Sequence, residues 1–116
     1  VGPSSILLAM MASGFNGQSF TFNGYLPKER SERIKKIKEL ERQVYNKDQT
    51  QLFIETPYRN MHILEDVLAS CESKTKLCIA CDITLPTEFI KTKSIGEWKK
   101  QIPEIAKRPT LFLVYK

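Results

Sequence analysis

Apolar residues follow two periods along this chain, the helical period of about 3.6 residues and the strand period of two. The helical period predicts helices over residues 4–13 and 29–45, a third helix that begins after Thr56, and a short fourth helix at 94–97. Apolar or alternating runs predict five strands, over residues 19–25, 50–55, 76–82, 87–93 and 109–115. Since helices and strands alternate, the pattern indicates an α/β domain with one main sheet.

Short motifs mark where several of these elements begin. Ser4 and Ser5 are helix-capping residues, and Thr56-Pro57 has the form of an N-cap followed by proline at the first helical position. The run "SIGE" at 94–97 is a capping box. A short connection at Pro86 predicts an antiparallel hairpin, so we expect a mixed, mostly five-stranded sheet flanked by helices.

Length, composition and charge narrow the class of protein. With 116 residues, 41% of them apolar, the chain can form one domain over residues 1–116. Its apolar runs are shorter than the roughly 20 residues of a membrane span. Three cysteines form no disulfide pattern, which favours a reducing, cytoplasmic setting. The net charge of +5 permits a polyanionic partner, although the charged helix at 29–45 is more simply explained as a solvent-exposed face.

Two features could suggest a metal site, and neither supports one. Cys78 and Cys81 have Cys-x-x-Cys spacing, but in a strand their side chains point to opposite faces, and no second pair completes four ligands. His62 is the one histidine and lies on a predicted helix. We therefore expect no metal ion.

Four polar loops lie directly beside apolar strands. They are "GPSS" at 2–5, "ETPYRN" at 55–60, "CDITLPTE" at 81–88 and "KRPT" at 107–110. In open α/β sheets, ligands bind at the carboxyl ends of strands, where the second and third loops lie and where the first would lie if a strand precedes Val1. The alternative is ordinary turn chemistry, because serine, threonine and proline form turns in any protein.

Three of the chain's motifs together resemble a known family. They are "GPSS" with a helix ending "ASG", "NGYLP" at 23–27 and "FIETPYR" at 53–59, and their order and spacing match as well. All 116 residues resemble the C-terminal half of the tetrapyrrole methylase superfamily of S-adenosylmethionine-dependent methyltransferases. Within it, the chain is most similar to the branch of the ribosomal RNA small-subunit 2′-O-cytidine methyltransferase.

This resemblance implies a fold, a cofactor and partners. It implies the C-terminal domain of the tetrapyrrole methylase fold, with S-adenosylmethionine in the cleft between this domain and an N-terminal one. The glycine-rich loop and Gly-Asp-Pro motif of that N-terminal domain are absent from this sequence, so we expect the chain alone to be inactive. It further implies a homodimer and a structured RNA substrate, and from the residues themselves we expect no membrane and no metal.

The resemblance also implies roles for individual residues. For the cofactor we expect contacts, many through the main chain, from Ser4, Ser5, Thr56, Ile83, Thr84, Pro109, Thr110 and Leu111. For the acceptor we expect contacts from Asn23, Tyr58 and Arg59. No catalytic residue is assigned, and Glu55 and Asp82 are the carboxylates to consider as a base.

The chain departs from the ribosomal RNA branch in two loops. Cys81 and Leu85 stand where that branch has arginine and lysine, and "KRP" replaces its Lys-Gly-Glu. Fewer cations in a cleft weaken the case for an RNA acceptor, because phosphate contacts supply much of RNA affinity. The resemblance thus implies a ribosomal RNA ribose hydroxyl as the acceptor, with a small, tetrapyrrole-like molecule as the alternative. A non-catalytic α/β binding or dimerisation module is the third alternative.

Overall fold

The computed structural model describes the backbone of residues 3–116 and the side chains of residues 5–116. Its helices are α1 (Pro3–Ser13), α2 (Arg30–Lys47), α3 (Asn60–Ser70) and α4 (Ile95–Lys100). Its strands are β1 (Phe20–Tyr25), β2 (Thr50–Ile54), β3 (Lys76–Cys81), β4 (Phe89–Ser94) and β5 (Thr110–Tyr115). Every predicted element is confirmed. The third helix differs at its start, because a 3₁₀ turn over Pro57–Arg59 precedes α3.

The five strands form one mixed sheet in the order β1-β2-β5-β3-β4. Strand β1 runs parallel to β2, whereas β5 runs antiparallel to both β2 and β3, and β3 pairs antiparallel with β4. Strands β1, β2 and β3 therefore point the same way. Their carboxyl ends meet the amino ends of β4 and β5 at one edge of the sheet, which we call the ligand edge.

Helices α2, α3 and α4 cover one face of the sheet and form the larger core. In α2, the buried positions Ile37, Leu40 and Val44 recur at helical spacing and point toward the sheet. The rings of Phe53 and Phe112 stack in this core with centroids 5.4 Å apart. Most of the other charged residues of α2 face solvent, as the sequence indicated, whereas Arg33 is buried.

Helix α1 packs on the other face against β4 and β5. Ala9 and Met10 are buried there against a second apolar cluster that includes Cys78 and Ala80, whereas Cys81 belongs to the larger core. The two cysteines thus face opposite sides of the sheet, as predicted. No helix in the described range 3–116 is both long and apolar enough to cross a bilayer.

Helix α4 begins with the predicted capping box. The backbone N–H of Glu97 donates to the Ser94 hydroxyl at 3.2 Å, and the backbone N–H of Ser94 donates to the Glu97 carboxylate at 3.0 Å. This backbone donor lowers the pKa of Glu97. The cap fixes the position of the buried Trp98, whose indole N–H donates to the carbonyl of Leu77 on β3 at 2.8 Å.

We predict that Ser94→Ala destabilises the domain by about 1 kcal/mol, the usual loss when an N-cap hydroxyl is removed. Ser31→Ala is the matched control, because the Ser31 hydroxyl bonds to the Glu29 side chain on the exposed surface. Its effect should stay within about 0.5 kcal/mol. Urea unfolding of the two variants measures both values. If Ser94→Ala and Ser31→Ala unfold at the same urea concentration, the cap does not stabilise α4.

Candidate functional site

A pocket of about 240 Å³ lies at the ligand edge, between the loop that follows β3 and the segment that enters β5. We call it the inner pocket. It is lined by Ser5, Ala80, Asp82, Ile83, Thr84, Leu85, Pro109, Thr110 and Leu111. Six of the residues expected at the cofactor are thus brought together from three distant parts of the chain. The side chain of Ser4 lies outside the described residues.

Two further grooves continue from the inner pocket along the ligand edge. The middle groove, about 310 Å³, shares Pro109 and Thr110 with the inner pocket and is also lined by Tyr25, Ile54, Glu55, Thr56 and Pro57. The outer groove, about 250 Å³, is lined by Tyr25, Leu26, Lys28, Glu55, Thr56 and Arg59. Because neighbours share residues, the three form one trough from β3 to β1, and Thr56 lies in its middle.

The backbone around the trough is strained at three positions. Asp82, Thr84 and Lys107 take left-handed conformations, with φ values of 52°, 70° and 63°. Thr84 is the least expected of the three, since a β-branched side chain is crowded there. Such conformations cost energy and persist where the surrounding contacts impose them, commonly at functional sites.

A buried ion pair joins the two loops that line the inner pocket. Arg108 Nε donates to Asp82 Oδ2 at 2.7 Å, and the Asp82 side chain is 7% exposed. A second guanidinium N–H of Arg108 donates to the Thr87 carbonyl at 2.8 Å, and the Thr87 hydroxyl donates to Asp82 Oδ2. The Asp82 backbone N–H also donates to the Pro109 carbonyl at 2.9 Å. The guanidinium therefore lowers the pKa of Asp82 and keeps it charged.

Asn60 anchors the same segment from the side of α3. It is fully buried, and its amide N–H groups donate to the carbonyls of Ile105 and Arg108 and to the Thr110 hydroxyl. Sequence analysis missed this residue. The sequence offers one indication of its role, an asparagine at the first position of a helix that follows a ligand-edge loop. This arrangement is too common to single out the residue.

The predicted acceptor residues occupy three different environments. Arg59 lines the outer groove, lies 3.9 Å from the Glu55 carboxylate and donates to the Lys28 carbonyl at 3.3 Å. Asn23 instead uses its amide to bridge β1 and β2, donating to the Leu52 carbonyl at 3.0 Å. Tyr58 is 80% exposed and does not occur among the described lining residues of the trough.

The chemistry of the inner pocket suits a ligand with both apolar and polar parts. Its inner walls combine apolar side chains with the hydroxyls of Ser5, Thr84 and Thr110. The single inner carboxylate, Asp82, is already paired with Arg108. The inner pocket alone is smaller than the range of about 300–1,000 Å³ typical of ligand sites, so a ligand of that size would extend into the middle groove.

The two candidate bases differ in their position along the trough. Asp82 accepts hydrogen bonds from both Arg108 and Thr87, so its proton affinity is low. Glu55 borders the middle and outer grooves, and one of its oxygens accepts from the Thr56 backbone N–H at 2.7 Å. Glu55 also has a cationic neighbour, since Arg59 lies 3.9 Å from it and the Glu55 side chain is 4% exposed, but of the two carboxylates only Glu55 borders the middle and outer grooves.

Comparison with known sequences finds relatives along nearly the whole chain. No family model matches it. It is 33% identical to ribosomal RNA small subunit methyltransferase I of Leptospira borgpetersenii, over 97% of this chain and 44% of that protein. It is 28% identical to the protein of the same name from Buchnera aphidicola, over 86% of this chain and 35% of the relative. The chain therefore spans less than half the length of these relatives.

Comparison with solved structures confirms the fold. The methyltransferase CobJ superposes with a TM-score of 0.59 at 20% identity, covering 96% of this chain and 47% of that one. Uroporphyrin-III C-methyl transferase from Thermus thermophilus, solved with S-adenyl homocysteine, superposes with a TM-score of 0.54 at 14% identity. It covers 93% of this chain and 49% of its own. The expected mixed five-stranded sheet flanked by helices is thus a known methyltransferase arrangement.

We predict that Arg108→Ala destabilises the protein by about 1–3 kcal/mol, because it leaves the buried Asp82 carboxylate without its main donor. The double variant Asp82→Asn/Arg108→Ala should recover part of that loss, since no uncompensated charge remains. Denaturant unfolding of both variants gives the comparison. If the changes in the free energy of unfolding caused by the two substitutions simply add in the double variant, the two residues do not interact.

The same pair makes stability depend on pH in a defined window. The folded-state pKa of Asp82 is lowered, so the stability it contributes is present above the unfolded pKa of about 3.9 and is lost as pH falls through the folded pKa. Stability should therefore drop less steeply below about pH 4 in Arg108→Ala than in the natural protein. If the free energy of unfolding falls equally steeply with decreasing pH in both proteins, the pairing of Asp82 with Arg108 is contradicted.

Proposed function

Since the resemblance to the ribosomal RNA branch of the tetrapyrrole methylase superfamily is confirmed along nearly the whole chain, we propose that the chain is the C-terminal half of a methyltransferase that uses S-adenosylmethionine. The observation that carries the proposal is the inner pocket. It gathers Ser5, Ile83, Thr84 and 109–111, which the resemblance had implied independently of any structure. The pocket also lies at the carboxyl ends of strands, which is where α/β sheets bind ligands.

The side chains that line the inner pocket fit this cofactor. Apolar contacts from Ile83 and Leu111 suit an adenine ring, and the nearby hydroxyls suit the polar parts of the molecule. When bound, S-adenosylmethionine supplies a sulfonium methyl group for transfer. Thr56, in the middle groove, lies where the end of the cofactor that points away from the inner pocket would extend.

The chain's own residues act by positioning. The Asp82–Arg108 pair and Asn60 hold the two loops of the inner pocket in their strained conformations before any ligand arrives. Pre-organised geometry of this kind contributes to rate because the reacting groups need no reordering. Glu55 borders the middle and outer grooves, and it is the carboxylate that we assign to accept the proton of a hydroxyl acceptor.

The proposed acceptor is a ribose hydroxyl of ribosomal RNA. The names of the relatives, the net charge of +5 and the cations Lys28 and Arg59 at the outer groove support it. The second candidate is a tetrapyrrole-like small molecule. It is favoured by the fold shared with uroporphyrin-III C-methyl transferase and by Cys81 and Leu85, which stand in place of two cations.

We also propose the assembly that the resemblance implies. An N-terminal domain would close the trough from its open side, and two copies would associate through apolar surface such as the outward side of α1, where Leu7, Leu8 and Met11 are exposed. Exposed apolar patches of this kind mark interaction sites. The protein would act in the cytoplasm.

We predict that Ser5→Trp in the full-length protein weakens binding of S-adenosylhomocysteine by at least about tenfold, or about 1.4 kcal/mol, because the indole fills the inner pocket. Ser5→Ala should change affinity by less than threefold, since most expected contacts come from the main chain. Isothermal titration calorimetry measures both variants. Unchanged binding by a folded Ser5→Trp variant would place the cofactor elsewhere.

We predict that the full-length protein transfers a methyl group from S-adenosylmethionine to RNA of the small ribosomal subunit. The expected product, identified by mass spectrometry of nucleosides, is a ribose-methylated nucleotide. Uroporphyrinogen III is the competing acceptor in a parallel assay. Methylation of the tetrapyrrole alone would select the second candidate, and transfer to neither by a cofactor-binding protein would reject both acceptors.

A further inference from the structure

The outer groove has a wall that the sequence did not indicate. The Tyr25 ring is 64% exposed although it lies at the end of a strand and beside apolar residues. Leu26 is buried beneath the groove, and the exposed Lys28 stands at its mouth. A large aromatic ring held in solvent, with an apolar floor and a cation beside it, is a surface on which a flat ring can stack.

A β-bulge places Tyr25 there. The register of β1 against β2 shifts between Phe22 and Tyr25, and Gly24 takes a φ of 66° that favours glycine. The Asn23 amide spans the bulge by donating to the Gln51 side chain and to the Leu52 carbonyl of β2. Bulges beside binding sites typically re-aim a side chain, and this one brings Tyr25 into register with Ile54 at the strand end.

The opposite wall is fixed by arginines. The Lys28 carbonyl accepts from Arg33 at 2.9 Å and from Arg59 at 3.3 Å. Arg33 is itself buried and paired with Asp66 at 2.6 Å. The loop that leaves β1 is therefore tied to α2 and to the turn before α3. A pre-ordered groove loses less entropy on binding than a mobile one.

We propose that the outer groove is a nucleobase subsite for one unpaired nucleotide of an RNA. The base stacks on Tyr25, and Lys28 lies within reach of the adjoining phosphate. The ribose lies over Thr56 and Glu55, on the side of the groove that leads to the inner pocket. This inference rests on the proposed function and names the part of the RNA acceptor that this chain holds.

Charge favours a nucleotide over an uncharged ring. Two cationic side chains, Lys28 and Arg59, border the outer groove, against the single carboxylate of Glu55. Arg59 lies 3.9 Å from Glu55, so among the described lining residues Lys28 is the cation without a carboxylate partner, which suits a ligand that carries negative charge beside a flat base. Single-stranded nucleic acid is bound through this combination of stacking and phosphate contacts.

The test uses the full-length protein and a single-stranded RNA from the small-subunit ribosomal sequence, with 2-aminopurine at the acceptor position. Stacking of the 2-aminopurine base on Tyr25 should quench the fluorescence of that base. Tyr25→Ala should remove the quenching and weaken binding about 5- to 100-fold, as for other stacked bases. Tyr25→Phe should preserve both, since the ring remains. Phe20→Ala is the matched control, an exposed aromatic on the same strand and the same face.

The phosphate contact has its own variant pair. Lys28→Gln should reduce the slope of log affinity against log salt by about 0.7, the value for one single-strand phosphate. Lys38→Gln removes an exposed charge on α2, away from the groove, and should leave the slope unchanged. Equal slopes for the two variants would overturn the placement of Lys28.

Methyl transfer and cofactor binding, measured on the same samples, separate this inference from the proposed function. Quenching that depends on Tyr25 without methyl transfer would support the subsite and reject the function. RNA methylation with quenching and affinity unchanged in Tyr25→Ala would overturn the subsite and leave the function intact. A protein that binds no RNA and methylates uroporphyrinogen III would overturn the subsite and select the other acceptor.

Discussion

Strand β5 is inserted between β2 and β3 and runs antiparallel to both, and the whole trough depends on this pairing. Because β5 enters the sheet at the edge where β2 and β3 leave it, the residues before and at its start lie directly beside the loops that follow those two strands. Pro109 and Thr110 therefore border both the inner pocket and the middle groove. A parallel strand in the same place would carry these residues to the opposite edge of the sheet.

Holding three polar loops together at that edge has a cost, which long-range polar contacts offset. Asp82, Thr84 and Lys107 lie in left-handed conformations, each of which costs about 1–3 kcal/mol in a non-glycine residue. The Asp82–Arg108 ion pair and the buried Asn60 amide oppose this cost and fix the loop positions. The protein thus orders the site before a ligand binds. Such pre-organisation is expected of a protein that acts mainly by positioning its ligands.

Periodicity was enough to predict the elements, because α2 and the buried strands present regular apolar faces. The gathering of Ser5, Ile83 and Pro109 in one pocket followed from the motif resemblance, which implied cofactor contacts for all three. The Asp82–Arg108 pair and the Asn60 contacts could not be predicted, because they join residues 26 to 50 positions apart. Tyr25 was missed for another reason. Its position depends on a bulge at Gly24, and Tyr58, the tyrosine expected at the acceptor, is not among the described residues that line the trough.

The most direct test of this account is a crystal structure of the full-length protein with S-adenosylhomocysteine. The account predicts that the ligand lies in the inner pocket, with main-chain contacts from 83–85 and 109–111, and extends into the middle groove as far as Thr56. It also predicts that the Asp82–Arg108 pair is unchanged on binding. A ligand bound outside the trough, or a pocket that forms only through rearrangement of both loops, would contradict it.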